Sequence, residues 1–243
     1  LVTGGTGSLG QAFIKEALKL NPKAIRVFSR GEYEQSEMER VFNDKRLRFL
    51  IGDVRDKERL YRAMNGVDMV VHTAALKRVE VCEYNPMEAH KTNVDGSENV
   101  INCAIDNKVD KVLAISSDKA VHPINVYGGT KQLMEKLVIG GNIYGDTKFS
   151  CIRPGNFQTS KGNVLELWRQ ELEKGEEITI TDIEMSRYWI VLDRIASFVT
   201  QCLGMMKGGE IFIPKMSRVE LKELLRLFKP DAKVKIIGKR PGE

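Results

Sequence analysis

Aromatic residues are scarce in this 243-residue sequence, at 7%, and no basic stretch is interleaved with them as a base-stacking platform requires. Nucleic acid is therefore not an expected partner. Only four cysteines occur, Cys82, Cys103, Cys151 and Cys202, far apart and without a CxxC pair. That argues against disulfide and zinc frameworks and makes a reducing cytoplasm the natural compartment. No apolar run approaches the ~18 residues of a membrane helix. The longest, AIRVF, MVVHTAA and KVLAIS, have the length of core strands, so the visible chain is not expected to span a membrane. The three histidines, His72, His90 and His122, lack metal-ligand spacing and read as packed or solvated. An initiator Met and a signal sequence are missing too: the chain opens on LVTGG, already a strand running into a glycine turn, and both ends are expected to be cut. With seven prolines, no biased tract, 42% hydrophobic and 29% charged residues, the composition is that of a compact folded protein. Lys and Arg total 38 against 33 acidic residues, a balance of +5 without a basic block, which suits anionic small molecules.

What is present is a rhythm. Apolar strand-like runs at Leu1–Thr3, Ala24–Phe28, Leu47–Ile51, Asp68–Thr73, Lys111–Ser116 and Lys148–Ile152 alternate with amphipathic stretches. Among these, Gln11–Leu20, Asp56–Met64, Pro86–Asn107 and Tyr127–Asn142 read as helices. Six strands with helical crossovers predict an α/β fold, a Rossmann-type doubly wound parallel sheet. After Arg153 the rhythm loosens into a helix near Val164–Lys174, the runs ITITD and YWIVL, a helix Asp193–Met206, EIFIP, a further helix and VKIIG. We expect a dinucleotide-binding domain over 1–155 and a smaller mixed α/β substrate lobe over 156–243, partly interleaved with it and truncated.

Gly4, Gly7 and Gly10 of TGGTGSLG, with Thr6, Ser8 and Leu9 between them, follow the first strand and open the first helix. Small residues there let backbone N–H groups and the positive helix end approach a pyrophosphate. The GxxGxxG spacing is the version used by short-chain dehydrogenases/reductases. The second strand ends in Ser29–Arg30, where a ribose 2′-hydroxyl would call for a carboxylate. Arg30 suits a 2′-phosphate instead and favours NADP, while Glu32 and Glu34 keep NAD open. Asp53 and Val54 are placed to border the adenine, and Ala74 and Ala75 to line the dinucleotide.

The most informative segment is ISSDKAVHPINVYGGTK, Ile115 to Lys131. Tyr127 and Lys131, four residues apart at a helix start, share one face. A nearby ammonium lowers the tyrosine pKa toward a value useful for taking a hydroxyl proton. Ser117 comes shortly before, at a strand end. Asp118 and Lys119 add an acid and a potential base at the carboxyl end of that strand, where open α/β sheets place their ligands.

Together TGGTGSLG, GDVRDKERL, LKRVEVCEYNP, KTNVDGSENV, SSDKAVHPINVYGGTK and MKGGEIFIPKM resemble the polysaccharide-biosynthesis branch of extended short-chain dehydrogenases/reductases, and within it the inverting UDP-N-acetylglucosamine 4,6-dehydratase family. The resemblance covers the whole chain and is most specific in the DKA…YxxxK segment. It implies internal redox chemistry with NADP(H) retained. Tyr127, supported by Lys131, would deprotonate the sugar 4-hydroxyl, Lys119 would remove the C-5 proton, Asp118 would protonate the departing 6-hydroxyl, and Ser117 would hydrogen-bond near the 4-oxygen. It also implies that Asn93 and Lys77 belong to the cofactor side, with Lys77 facing the active site. Asn156, Asn163 and Val164 would hold the diphosphate and sugar, Thr179 and Thr181 would border the uracil, Arg187 and Arg240 would bind phosphate, and Glu243 would accept from the ribose. The family's usual homo-oligomers are a further expectation.

Three departures stand out: Ser117 replaces a usual threonine, Gly129 a common alanine, and RPGNFQTSKGN differs from RYGNVxxSRGS where sugar and phosphate are touched. Two other readings stay open. A nucleotide-sugar 4-epimerase needs only Tyr127, Lys131 and cofactor, and a non-catalytic NADP-binding module needs neither side chain.

Overall fold

Short β-branched and apolar runs between turn residues become strands, and the longer amphipathic stretches become the helices that cover them. The computed structural model describes residues 1–158 and 162–242. In chain order it contains β1 (Val2–Thr3), α1 (Ser8–Leu18), β2 (Ile25–Ser29), α2 (Glu32–Phe42), β3 (Leu47–Ile51), α3 (Lys57–Met64), β4 (Met69–His72), α4 (Val79–Tyr84), α5 (Pro86–His90) and α6 (Gly96–Asp106). There follow β5 (Lys111–Ile115), α7 (Val126–Gly140), β6 (Lys148–Ile152), β7 (Asn156–Phe157), α8 (Val164–Glu173), β8 (Ile178–Ile180) and β9 (Ser186–Ile190). The chain closes with α9 (Leu192–Met205), β10 (Ile211–Phe212), β11 (Ser217–Glu220), α10 (Leu221–Phe228) and β12 (Val234–Ile236).

Seven strands form one sheet in the order β10-β6-β5-β4-β1-β2-β3, with every neighbouring pair parallel. The order reverses between β1 and β4, and a doubly wound sheet binds its ligands outside the carboxyl ends of the strands at that point. Both faces are buried, which is why the strands read as continuous apolar runs. On one face α1 and α9 pack over Val2, Val27, Leu113 and Ile152. On the other, Leu60, Met64, Val100, Met134 and Val138 from α3, α6 and α7 cover Val70, Val112 and Phe149.

The smaller lobe is built from two stretches of chain, 156–190 and 217–242. Its sheets are β11-β9-β7 and β12-β8, and its core is Trp168, Ile178, Ile180 and Leu221. Between those stretches the chain returns to the large sheet: α9 packs on α1, and β10 pairs with β6.

Pro86–Asn107 does not run as one helix. A π-helical turn at Lys91–Asp95 separates α5 from α6, and its wider backbone turns Thr92, Asn93 and Val94 inward. Among the described residues, no helix is long and apolar enough to cross a membrane.

Candidate active site

A cleft of about 2130 Å³ runs along the carboxyl ends of the strands and under the smaller lobe. Single-ligand pockets measure roughly 300–1,000 Å³, so this one has room for a dinucleotide and a second ligand of nucleotide size.

At its floor the glycine turn leaves β1. Gly4 has φ +64°, and a Cβ there would lie 2.8 Å from the backbone of Ala74. A Cβ at Gly10 would lie 2.6 Å from Gly5 Cα, so the helix start packs directly on the turn. No side chain caps α1, whose N-cap is Gly7. Thr6, Gly7, Ser8 and Leu9 line the cleft there, and the Thr6 N–H donates to Ser29 Oγ at 3.2 Å. Beyond β2, Arg30 and Glu34 both border the cleft, whereas Glu32 is not among its walls. Arg30 is more than half exposed and stands 3.8 Å from Asp53. Burial acts to raise the Asp53 carboxyl, but hydrogen bonds from Arg55 outweigh it and hold the group below its usual value. Val54, Ala74 and Ala75 line the same wall. Ser116 Oγ, buried at the end of β5 beside the cleft, has no hydrogen-bond partner. A turn that excludes any Cβ, an uncapped helix start and this orphaned hydroxyl fit a nicotinamide dinucleotide.

Asn93 is the exception on this side. It is buried away from the cleft, and its amide is committed to protein: Oδ1 accepts from Leu76 N at 2.8 Å, and Nδ2 donates to Leu76 O and to Thr130 Oγ1. It braces the loop after β4 against α7 and is not among the cleft's walls, because the π-helical turn aims it into the core.

The catalytic set assembles where β5 ends and α7 begins. Ser117 Oγ donates to Asp118 Oδ1 at 2.9 Å. Lys119 Nζ donates to Asp118 Oδ1 at 3.1 Å and to Asn156 Oδ1 at 3.3 Å, a contact that ties the cluster to the first strand of the smaller lobe. Tyr127 is buried. Desolvation pushes its phenol up to about 12, against a hydrogen bond with Ser117, and the charges of Asp118 and Cys82 push the same way. The expectation that Lys131 holds this phenol down is not met. Lys131 is itself buried, its ammonium lowered to about 8 by desolvation and partly sustained by Cys151 and Glu135. Lys131 lines the cleft, and Glu135, one turn further along α7 and nearly fully buried, pairs with Arg153 at 2.7 and 2.8 Å. His72 is packed and neutral. Its Nε2 faces Ser97 Oγ at 3.0 Å and its Nδ1 faces Thr3 Oγ1 at 2.7 Å. Since Ser97 donates onward to Asn93 O, the proton sits on Nε2 and Thr3 donates to Nδ1.

From the smaller lobe, Asn156, Asn163, Val164, Thr179, Thr181 and Arg187 all face the cleft. Three of them are engaged locally: Asn163 caps α8 by accepting from Glu166 N at 2.9 Å, Thr179 Oγ1 donates to Glu171, and Arg187 Nη1 donates to Ser186 O at 3.1 Å. Lys77 lines the cleft, its ammonium lowered by desolvation and by the neighbouring Arg78. Arg240 reaches it from the C-terminal side and pairs with Glu80 at 2.7 Å. Glu243 lies outside the described residues. Arg78 and Asn125 also line the cleft and were not singled out in the sequence. Asn125 carried a readable signal, a capping residue two positions before Tyr127. Arg78 carried none beyond its place beside Lys77.

A doubly wound sheet with a glycine turn at its switch point, and Ser, Tyr and Lys gathered where the fifth strand meets the following helix, defines an extended short-chain dehydrogenase/reductase. The chain belongs to the polysaccharide biosynthesis protein family, whose model matches residues 1–243. It is 46% identical over 248 residues to a UDP-N-acetylglucosamine 4,6-dehydratase (inverting) of Campylobacter jejuni, covering 100% of this chain and 74% of that protein. It is 42% identical over 254 residues to a UDP-glucose 4-epimerase of Rickettsia prowazekii, again covering 100% and 74%. Among solved structures, Pen from Bacillus thuringiensis superposes with a TM-score of 0.97 at 39% identity, covering 100% of this chain and 80% of that one.

Proposed function

We propose that the chain is a nucleotide-sugar 4,6-dehydratase, a hydro-lyase, acting on UDP-N-acetylglucosamine with NADP and inverting C-5. The observation that carries the reading is Lys119 Nζ lying 3.1 Å from Asp118 Oδ1 beside Ser117 and Tyr127. An epimerase requires no such acid–base pair. The glycine turn, Ser29, Arg30 and Ala74 would hold the dinucleotide, and Arg30 supports the 2′-phosphorylated form. Bound there, that cofactor supplies a hydride acceptor at the sugar C-4 and a hydride donor at C-6.

Tyr127 takes the proton of the 4-hydroxyl as its phenolate, the form that the hydrogen bond from Ser117 favours against burial, and so becomes the neutral phenol. Elimination needs Lys119 as free amine and Asp118 as acid. A single proton shift from Nζ to Oδ1 along the contact between them produces both. Lys119 then takes the C-5 proton and Asp118 gives its proton to the departing 6-hydroxyl, so that water leaves; as hydride would reach C-6, a solvent-derived proton added to C-5 from the opposite face gives the inversion. An ammonium on a carboxylate, which the 3.1 Å Lys119–Asp118 contact accommodates, is the state this elimination regenerates. Asn156, held by Lys119, aligns the amine with the sugar.

The test is product mass after incubating the protein with UDP-N-acetylglucosamine and either NADP⁺ or NAD⁺ in deuterated water. Loss of one water, with deuterium at C-5, is expected. Lys119→Ala should lower turnover by roughly 10²–10⁴-fold, the usual contribution of a positioned acid or base. An unchanged mass with altered C-4 configuration would instead establish the epimerase reading, which the Rickettsia relative favours.

A further inference from the structure

The helix that presents Tyr127 is fastened at its first turn to a segment far away in sequence. Beyond β12, which pairs with β8 of the smaller lobe, Ile237 N donates to Ile180 O at 2.9 Å, and Lys239 pairs with Asp182 at 3.2 Å. The chain then crosses to the large domain. There Arg240 pairs with Glu80 on α4, and Gly242, at φ +83°, settles where a Cβ would lie within 3.1 Å of Val79, Asn125 and Glu83. Asn125 receives it. Its Nδ2 donates to Gly242 O at 2.8 Å, while its Oδ1 accepts from Gly128 N at 2.7 Å and so caps α7. Glu83 completes the junction by accepting from Val126 N at 2.6 Å. Gly128 is packed on the carbonyl of Lys119, so the capped turn also abuts the proposed base.

We infer that Asn125 is a positioning residue that couples the docking of the 237–242 segment, which carries Arg240 into the cleft, to the placement of Tyr127. One amide performs both tasks through opposite ends: the oxygen fixes the start of α7, and the nitrogen holds the segment closed over the nucleotide-sugar side. The two tasks can therefore be separated by substitution. Asn125→Asp keeps the capping oxygen, replaces the donor with a second acceptor facing Gly242 O, and adds a negative charge near Glu83, so it loosens the segment without removing the cap. Asn125→Ala loses both. Glu80→Gln loosens the same segment from its other attachment without touching the cap.

The inference rests on the dehydratase reading for its kinetic arm alone. With UDP-N-acetylglucosamine, Asn125→Asp and Glu80→Gln should each raise KM by about three- to tenfold, with kcat within about twofold of the parent, the size of one hydrogen bond or exposed ion pair. Asn125→Ala should in addition lower kcat by about fivefold, the effect of a lost cap on the helix bearing Tyr127. A second arm is independent of substrate: tryptic cleavage after Lys239, followed by mass in the whole protein, should accelerate several-fold in Asn125→Asp and in Glu80→Gln. Unchanged KM in Asn125→Asp, or equal losses in kcat and KM in both Asn125 variants, would overturn the inference. So would cleavage at the parental rate. If the parent turns over no UDP-sugar, the dehydratase reading fails, and the proteolysis arm alone decides this one.

Discussion

His72 illustrates how a single buried side chain ties stability to pH. Burial lowers its imidazole from 6.5 to about 3, with the charge of Lys131 acting in the same direction. The unfolded chain therefore binds a proton that the folded chain refuses over the window between those values. Stability supplied by His72 is complete above pH 6.5 and is lost as pH falls toward 3, with a ceiling of roughly 5 kcal/mol. Urea midpoints measured from pH 7 to pH 3.5 should fall less steeply in His72→Gln than in the parent. Parallel profiles would remove His72 from the account. The sequence places this histidine as packed or solvated and cannot decide, because the choice depends on Thr3 and Ser97, which meet it only across the sheet and the π-helical turn. The same limit applies to Tyr127 and Lys131. Their spacing reveals a shared helix face, but the burial that drives their proton affinities in opposite directions, and the charges that modify it at Asp118 and Cys82 for Tyr127 and at Cys151 and Glu135 for Lys131, belong to the folded chain.

Glycine positions separate what an element tolerates from what it requires. At Gly10 a Cβ would press on Gly5 Cα at 2.6 Å and Gly4 O at 2.7 Å, both backbone atoms that cannot swing away. Gly10→Ala should cost about 1–3 kcal/mol, as overpacking does, and weaken dinucleotide binding with it. Gly129, inside α7, has nothing within 4 Å of its missing Cβ. Gly129→Ala should stabilise the protein by about 0.5–1 kcal/mol through reduced freedom of the unfolded chain. Thermal midpoints should move in opposite directions for the two variants, and a rise for Gly10→Ala would refute the close packing of turn on helix. The glycine turn, the six apolar strands and the helices from 11, 56 and 127 were legible because period and punctuation agree there. Helix α2 was not placed: of its eleven residues only Gln35 and Met38 are buried, so no apolar stripe announces it. The π-helical turn was equally hidden: Thr92, Asn93 and Val94, buried in succession, carry no helical period to read. Strand β10 lies in the run EIFIP, read with the smaller lobe, but two residues carry no period that would assign it to the large sheet, where it pairs with β6.

Across the whole molecule, the order in which the chain visits its two lobes determines how they must fold. It leaves the large sheet after β6, builds half of the smaller lobe, returns for α9 and β10, and leaves again. Helix α9 buries Ile195, Ala196, Val199, Cys202 and Leu203, and all but Ala196 join the cluster that also holds Phe13 and Ile14 of α1, three of them the aliphatic Ile195, Val199 and Leu203. Three such aliphatic side chains contribute about 1.5–3 kcal/mol each, a total comparable with the whole stability of a typical domain. A fragment ending at residue 155 would keep every dinucleotide contact we describe on β1, β2 and β4 yet expose the α1 face that α9 covers. We therefore expect the fragment 1–155 to lack a sharp thermal transition and to bind a dye for exposed apolar surface, while the full chain unfolds in one transition that UDP and the dinucleotide each raise. A cooperative transition in the fragment would mean that the sheet is self-sufficient. The cleft would then be an interface between independent lobes, free to open by hinge motion, and the Lys119–Asn156 contact would mark where they meet.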